Sequence, residues 1–352
     1  MLPGSAGVRA EKVRAILRGH DDPRRTDHVD RWPRAGGAVN TLSVVMATYN
    51  RGRYITAALD SLLTQTTPAL EVLIIDDNST DDTGQRVDEH PLRDRIRYER
   101  LPANRGAAAA RNLAAERARG DILAFLDSDD VLDPTHHAAV LAAFAGGRPL
   151  GLFCCDCVVT AEDGRLLHDG RTWTVVQCAI KRRAISSGSR TLAEIFCFST
   201  PFPGLSIRRD LYLRLGGLDQ SLFPLDDYDL QLRVAGAGET VHYEHRPLAR
   251  YRVHGTNESG AARAVRVGQQ KLRCLELATE RFGRLAAPPG VARRRRGEVR
   301  GEIAFALAKE GRPFAAALTM LRALLESPAA EVRELNRLLG RRLRRLQGSA
   351  LR

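Results

Sequence analysis

Three apolar runs in the first 130 residues end in the same way. "LSVVMAT" (42–48) runs into Tyr49 and Asn50, "EVLII" (71–75) into Asp76 and Asp77, and "DILAFL" (121–126) into Asp127, Ser128, Asp129 and Asp130. Each run is short, continuously apolar and bounded by turn residues, the pattern of a strand buried on both faces. Between them, "GRYITAALDSLLTQ" sets Ile55, Leu59, Leu62 and Leu63 at helical spacing. "NSTDDT" offers capping and early acidic residues for a further helix. "RIRYERL" reads as another strand, and "AAAARNLAAERARG" as a strong helix that Gly120 is placed to stop. Strands alternating with helices at this spacing predict an α/β fold, a mostly parallel sheet with right-handed crossovers. The loops that follow such strands gather at one sheet edge, where open α/β sheets bind ligands. Three polar strand ends at one edge therefore predict a site.

The second half is less regular. "GLFCCDCVVTAEDGRLLHDG" reads as a hairpin turning at Glu162, Asp163 and Gly164, with "KRRAISSGSR" a basic loop. "PGLSIRRDLYLRLGGLD" reads as strand, helix and glycine stop, and "LDDYDLQLRVAGAG" as a helix started by Asp226 or Asp227. "ETVHYEHRPLARYRVHGTN" gives one or two strands ending at His254, and helices follow from about 265 to 345. Residues 1–39 read as a polar extension with a short helix near Glu11–Leu17. The expected organisation is an extension (1–39), a catalytic domain (40–260) and a basic helical segment (261–352).

Charge divides along the same line. Residues 261–352 hold 21 Lys/Arg against 8 Asp/Glu, a net +13, while the rest of the 352-residue chain nets −1. Such a segment suits an anionic membrane surface, or is the wet face of helices that pack on the domain or on a second copy. Nucleic acid is not expected, because the segment has almost no aromatic residues for base stacking. No run of 18 apolar residues exists to span a membrane. The first twenty residues lack the apolar centre of a signal peptide, so a cytoplasmic protein is expected, peripheral at most. The adjacent cysteines of "CCDC" lie inside an apolar run and read as buried strand residues rather than a zinc site.

The chemistry follows from the acidic strand ends. Three carboxylates within four residues repel one another unless a cation joins them. Oxygen ligands of this kind suit Mg²⁺ or Mn²⁺, which would neutralise a leaving diphosphate. Neither a Walker loop, a G-x-G-x-x-G after a strand, nor a G-x-S-x-G is present, so ATP hydrolysis, dinucleotide chemistry and serine hydrolysis lack their usual cradles.

Seven segments then occur in a familiar order: "SVVMATYNRGRYITAALDSLLTQT", "EVLIIDDNSTDDT", "NRGAAAARNLA", "GDILAFLDSDD", "PGLSIRRDLYLRLGGLD", "LDDYDLQLRVA" and "YRVHGTN". Across about residues 41–257 the chain resembles glycosyltransferase family 2, the inverting nucleotide-sugar transferases of GT-A fold. The resemblance implies a Rossmann-like sheet flanked by helices and transfer of a sugar, expected to be uridine-linked, to an acceptor hydroxyl in cell-surface polysaccharide or glycolipid synthesis. It implies nucleotide contacts from Thr48, Tyr49, Asn50, Asp76, Asp77, Asn104, Arg111 and Asp127, and metal ligation by Asp129 and His254. Gly106 would let the backbone approach the nucleotide. Asp227 falls at the position of the catalytic base, and Asp226 at an acceptor-binding position where the family usually has Glu, one methylene longer. Helix capping is the alternative use of the Asp76/Asp77 and Asp226/Asp227 pairs. A nucleotidyltransferase would need a glycine-rich phosphate loop, and "ATYNRGRY" has no glycine run. A non-catalytic sugar- or lipid-binding scaffold would have no use for three clustered carboxylates.

Overall fold

In the computed structural model, residues 40–146, 150–174, 188–197, 203–257 and 263–327 are described. The expected helix near Glu11–Leu17, most of the "KRRAISSGSR" loop and everything beyond residue 327 lie outside them. The chain divides into two compact units, Met1–Gly255 and Thr256–Arg352.

The first unit is built on one sheet. In chain order its strands are β1 (Leu42–Thr48), β2 (Glu71–Asp76), β3 (Ile96–Arg100), β4 (Ile122–Phe125), β5 (Val131–Leu132), β6 (Leu150–Thr160), β7 (Gly188–Arg190), β8 (Ser206–Arg208) and β9 (Thr240–Arg252). They lie in the order β3-β2-β1-β4-β8-β6-β9-β5, with β7 also on β9. The β3, β2, β1 and β4 strands are mutually parallel, as the alternating pattern predicts. β8 inserts antiparallel between β4 and β6, which restores the original direction for β6 and its parallel partner β9. β5 and β7 run antiparallel to β9.

All seven residues of β1 are buried. Val44 and Met46 pack with Ile55, Leu59 and Leu62 of α1 (Gly52–Leu63), three of the four positions the spacing predicted; Leu63 is exposed instead. A short α2 (Thr83–Asp88) follows β2, and α3 (Ala107–Arg117) follows β3. Ala108, Ala109, Ala110, Ala114 and Ala115 are buried on α3, so its backbone lies close to the sheet. Gly120 does not stop this helix, which ends at Arg117 with Ala118 already extended. Gly120 is needed instead for close approach: a Cβ there would stand 2.6 Å from the Ser43 backbone nitrogen. The "CCDC" cysteines Cys154, Cys155 and Cys157 are buried in β6, as expected, and burial pushes the Cys155 and Cys157 thiols well up. The Glu162–Gly164 turn forms, but the return leg makes only isolated bridges, Thr160 to Leu166 and Val158 to Thr172, rather than a second full strand.

At the edge where β2 begins, the buried Glu71 carboxylate accepts hydrogen bonds from Ser43 Oγ, Arg97, and the Arg119 backbone and side chain. Burial alone would raise its pKa, but these donors together hold it below the usual glutamate range. Both arginines are largely exposed, so they regain water when the carboxylate is removed. Glu71→Ala is therefore expected to cost about 1–3 kcal/mol, read from urea melts, and the loss should fade as acid below the usual glutamate range protonates the wild-type carboxylate.

Helices α4 (His136–Ala145), α5 (Leu192–Cys197), α6 (Arg209–Arg214) and α7 (Asp226–Gly236) complete the first unit. Among the described residues the second unit comprises α8 (Ala264–Phe282), α9 (Pro289–Lys309) and α10 (Pro313–Glu326), with breaks at "APPG" (287–290) and "GRP" (311–313). Proline occupies the first turn of α9 and α10. Among the described residues no helix is long and apolar enough to cross a membrane.

Candidate active site

The polar strand ends converge as the topology requires. Thr48 and Asp76 are register partners at the ends of β1 and β2. The β1 loop turns sharply at Asn50, a non-glycine residue with φ of 50°. Two bonds tie it to the β2 loop: Asn50 N–H donates to Ser79 Oγ (2.9 Å), and Asn50 Oδ1 accepts from Thr80 N–H (2.8 Å). Tyr49 is exposed beside this buckle, and Thr48 Oγ1 is buried without a hydrogen-bond partner.

The paired aspartates after β2 differ in use. Asp76 accepts from Ser79 N–H and from the Tyr98 hydroxyl, and both its oxygens are engaged inside the protein. The Asp77 oxygens accept the backbone N–H groups of Arg105 and Gly106, at 2.6 and 2.7 Å. That clamp fixes the loop entering α3, and Gly106 adopts φ of 90°, a conformation glycine takes without strain. Neither aspartate caps α2, whose N-cap position is Asp82; Asp81, just before it, accepts from the Thr83 N–H and hydroxyl. Asn104 lies exposed on the clamped loop.

Beyond β4 the three carboxylates stand together, with oxygens of Asp127, Asp129 and Asp130 all within 4.8 Å of one another. Each has a different environment. Arg111 Nη2 donates to Asp127 Oδ1 at 2.5 Å, yet burial raises the Asp127 pKa, assisted by the neighbouring Asp129 charge. Burial would also raise Asp129, but His254 and Arg51 outweigh it and hold that group low. Both touch one oxygen: Arg51 Nε lies 3.1 Å and His254 Nε2 3.0 Å from Asp129 Oδ2. Asp130 accepts from Arg252 N–H, its other oxygen has no partner, and burial beside two carboxylates pushes it well up. An ionised Asp129 flanked by a half-buried Asp127 and an orphaned Asp130 oxygen forms a hard oxygen donor set that fits Mg²⁺ or Mn²⁺. For His254 to serve as a ligand, it has to exchange its contact with Asp129 for the ion. Its ring is held by stacking on Tyr54, with centroids 4.7 Å apart, and Tyr54 is fixed in turn by its hydroxyl on Glu162.

Arg111 joins this cluster to α7. It is buried on α3, holds Asp127, and lies 3.8 Å from Asp226 Oδ2, which makes no hydrogen bond. The N-cap of α7 is Leu225, so Asp226 and Asp227 occupy the first turn instead of capping the helix. Burial and the adjacent Asp226 charge raise Asp227 to about 7, and the Asp127 charge adds to the shift. Asp226 is raised for the same first reason.

Arg51 is the residue that sequence reasoning missed. Its signal was present, a cation directly after "TYN". Only folding brings it 78 positions along the chain to Asp129.

Comparison with known proteins sets the chain beside glycosyltransferases. A family model described as Glycosyl transferase family 2 matches residues 43–200. An uncharacterized glycosyltransferase of Haemophilus influenzae is 29% identical over 219 residues, which cover 62% of this chain and 70% of that protein. Chondroitin synthase of Escherichia coli is 29% identical over 63% of this chain, but only 30% of its own length is matched. Among solved structures, the Pyrobaculum calidifontis mannosyltransferase PcManGT with GDP-Man and Mn²⁺ superposes with TM-score 0.57 at 20% identity, covering 92% of this chain and 91% of that one. Staphylococcus aureus TarS with UDP-GlcNAc gives 0.54 at 16% identity, covering 84% and 92%. These two likenesses show a shared GT-A-like fold.

Proposed function

Since the chain belongs to glycosyltransferase family 2, we propose that it transfers a sugar with inversion from a nucleoside diphosphate sugar to an acceptor hydroxyl. The observation that carries this reading is the Arg111 bridge from Asp127 at the strand end to Asp226 in the first turn of α7, beside which burial and the Asp226 charge raise Asp227 to about 7. A general base works best with a pKa near the operating pH.

In this reading the acceptor oxygen attacks the anomeric carbon as Asp227 takes its proton. The bond to the diphosphate breaks on the opposite face, which inverts the centre. Asp129, with His254 exchanging its contact for the ion, would hold a divalent cation, which would supply neutralising charge to the departing diphosphate, while Asp127 would meet the ribose. Thr48, Tyr49 and Asn50 line the nucleotide side of the β1 loop. Asp76 and Asp77 hold the base-binding wall, Asp77 by clamping the loop that carries Asn104. Arg111 keeps Asp127 in place, and Asp226 meets the acceptor. The donor is expected to be uridine-linked, in keeping with UDP-GlcNAc in TarS; the GDP-Man of PcManGT makes guanosine the rival base. The chondroitin synthase likeness supports an acceptor in polysaccharide or glycolipid assembly. The +13 of residues 261–352 would hold the protein at the cytoplasmic face of an anionic membrane, with self-association the other use of that segment.

A panel of UDP- and GDP-sugars, assayed for hydrolysis or transfer with Mn²⁺, Mg²⁺ or chelator, tests the reading. Only the carboxylate form of Asp227 accepts a proton. The rate should therefore fall as pH drops below about 7, close to tenfold per unit. Metal-independent turnover, or an acid limb in the ordinary aspartate range, would overturn the assignment.

A further inference from the structure

Helix α10 is packed inside out. Its buried positions are small: Ala316 and Ala323 on the helix, with Ser327 just beyond it. They meet α9 at Gly297, where a Cβ would come within 2.9 Å of Ser327 Cβ. The large apolar side chains point away. Phe314 is 85% exposed, Leu318 45%, Leu321 55% and Leu325 76%. Spaced by four, three and four residues, they form one stripe, roughly opposite the buried face at about 100° per residue. At about 1.5 Å per residue the stripe is on the order of 16 Å long. Scattered exposed leucines need no explanation, but an aligned row with a large aromatic residue at its end marks a docking surface.

Charge decides what docks. Glu326, the only acidic residue on α10, is drawn onto Arg296 and Arg300 of α9. Arg322 flanks the stripe and is exposed, as is Arg312 just before the helix, which pairs with Glu310. A second copy would bring two segments of net +13 together, whereas an anionic surface is attracted to both the arginines and the unit that carries them. We propose that this face of α10 docks on an anionic lipid bilayer. Phe314, Leu318, Leu321 and Leu325 enter the boundary between headgroups and acyl chains, and the arginines stay level with the phosphates. The surface deepens the proposed function, resting on it only for the purpose of docking, which is delivery to a lipid-linked acceptor.

Full-length protein is sedimented with vesicles of phosphatidylglycerol and phosphatidylcholine, or of phosphatidylcholine alone, alongside the quadruple variant Phe314→Ser, Leu318→Ser, Leu321→Ser, Leu325→Ser. The expected result is binding to the anionic vesicles only, weakened near 0.5 M salt (about where screening is complete) and at least tenfold weaker in the variant. The variant's melting temperature and its hydrolysis of soluble donor should match wild type, because all four side chains are exposed. Three outcomes overturn the proposal: a wild-type protein that ignores anionic vesicles, a variant that binds them equally well, or a wild-type dimer in sedimentation velocity that the variant abolishes. Vesicle binding without any donor turnover would count against the proposed activity and leave the surface standing.

Discussion

Asp227→Asn is expected to lower turnover by about 10²–10⁴ while leaving nucleotide-sugar affinity near wild type. The amide keeps the size of the side chain and its place in the first turn of α7, where Leu225 and not Asp227 is the cap. What it loses is proton-accepting capacity, since an amide does not take a proton at neutral pH. Burial beside Asp226 is what lifts the native carboxylate to about 7. The acid limb of the pH profile should therefore disappear with the residue. Removing this half-buried carboxylate charge also relieves repulsion with Asp226, so the variant should melt no lower than wild type. Kinetics with and without metal, set beside calorimetric titration of the donor, separate the cases. Equal losses in binding and turnover would make Asp227 a structural residue and move the base elsewhere.

Asp129→Ala is expected to abolish metal-dependent nucleotide binding in a protein that still folds. Asp129 is the member of the triad held in its charged form, by His254 and Arg51 on a single oxygen. Burial beside two carboxylates pushes Asp130 well up and Asp127 is already on Arg111, so neither is placed to replace it. The change removes two charge-assisted hydrogen bonds, each worth about 1.5–3 kcal/mol, and at the same time ends the repulsion that raises Asp127 and Asp130. These effects oppose each other, so the melting temperature without metal should move little. Titration of UDP and GDP with Mn²⁺ against chelator is the measurement. A variant that keeps wild-type metal-dependent affinity would place the cation elsewhere.

Much of this was legible before folding, for a definite reason. A strand buried on both faces must be apolar throughout and must stop where the backbone reaches water, so "LSVVMAT", "EVLII" and "DILAFL" announced both the strands and the polar edge. Local pattern also placed α1, the three helices of the second unit and the first turn of α7. The residue order was enough to indicate the family.

Contacts between residues distant in sequence were decided by tertiary structure alone. Gly120 looked like a helix stop because local rules give glycine that role, but its position was set by Ser43, 77 residues away. Arg51 carried no motif of its own and acquired a partner only when β1 and β4 became neighbours. Three aspartates within four residues look alike in sequence, yet Asp129 is held low while burial raises Asp127 and Asp130, because Arg51, Arg111, His254 and Arg252 arrive from four different parts of the fold. Which side of α10 is buried depended on Gly297 of α9 making room against Ala323 and Ser327. Periodicity is a property of one segment, so sequence determined the elements and the edge where they meet. Protonation, pairing and exposure are properties of neighbours, and neighbours exist only in the folded chain.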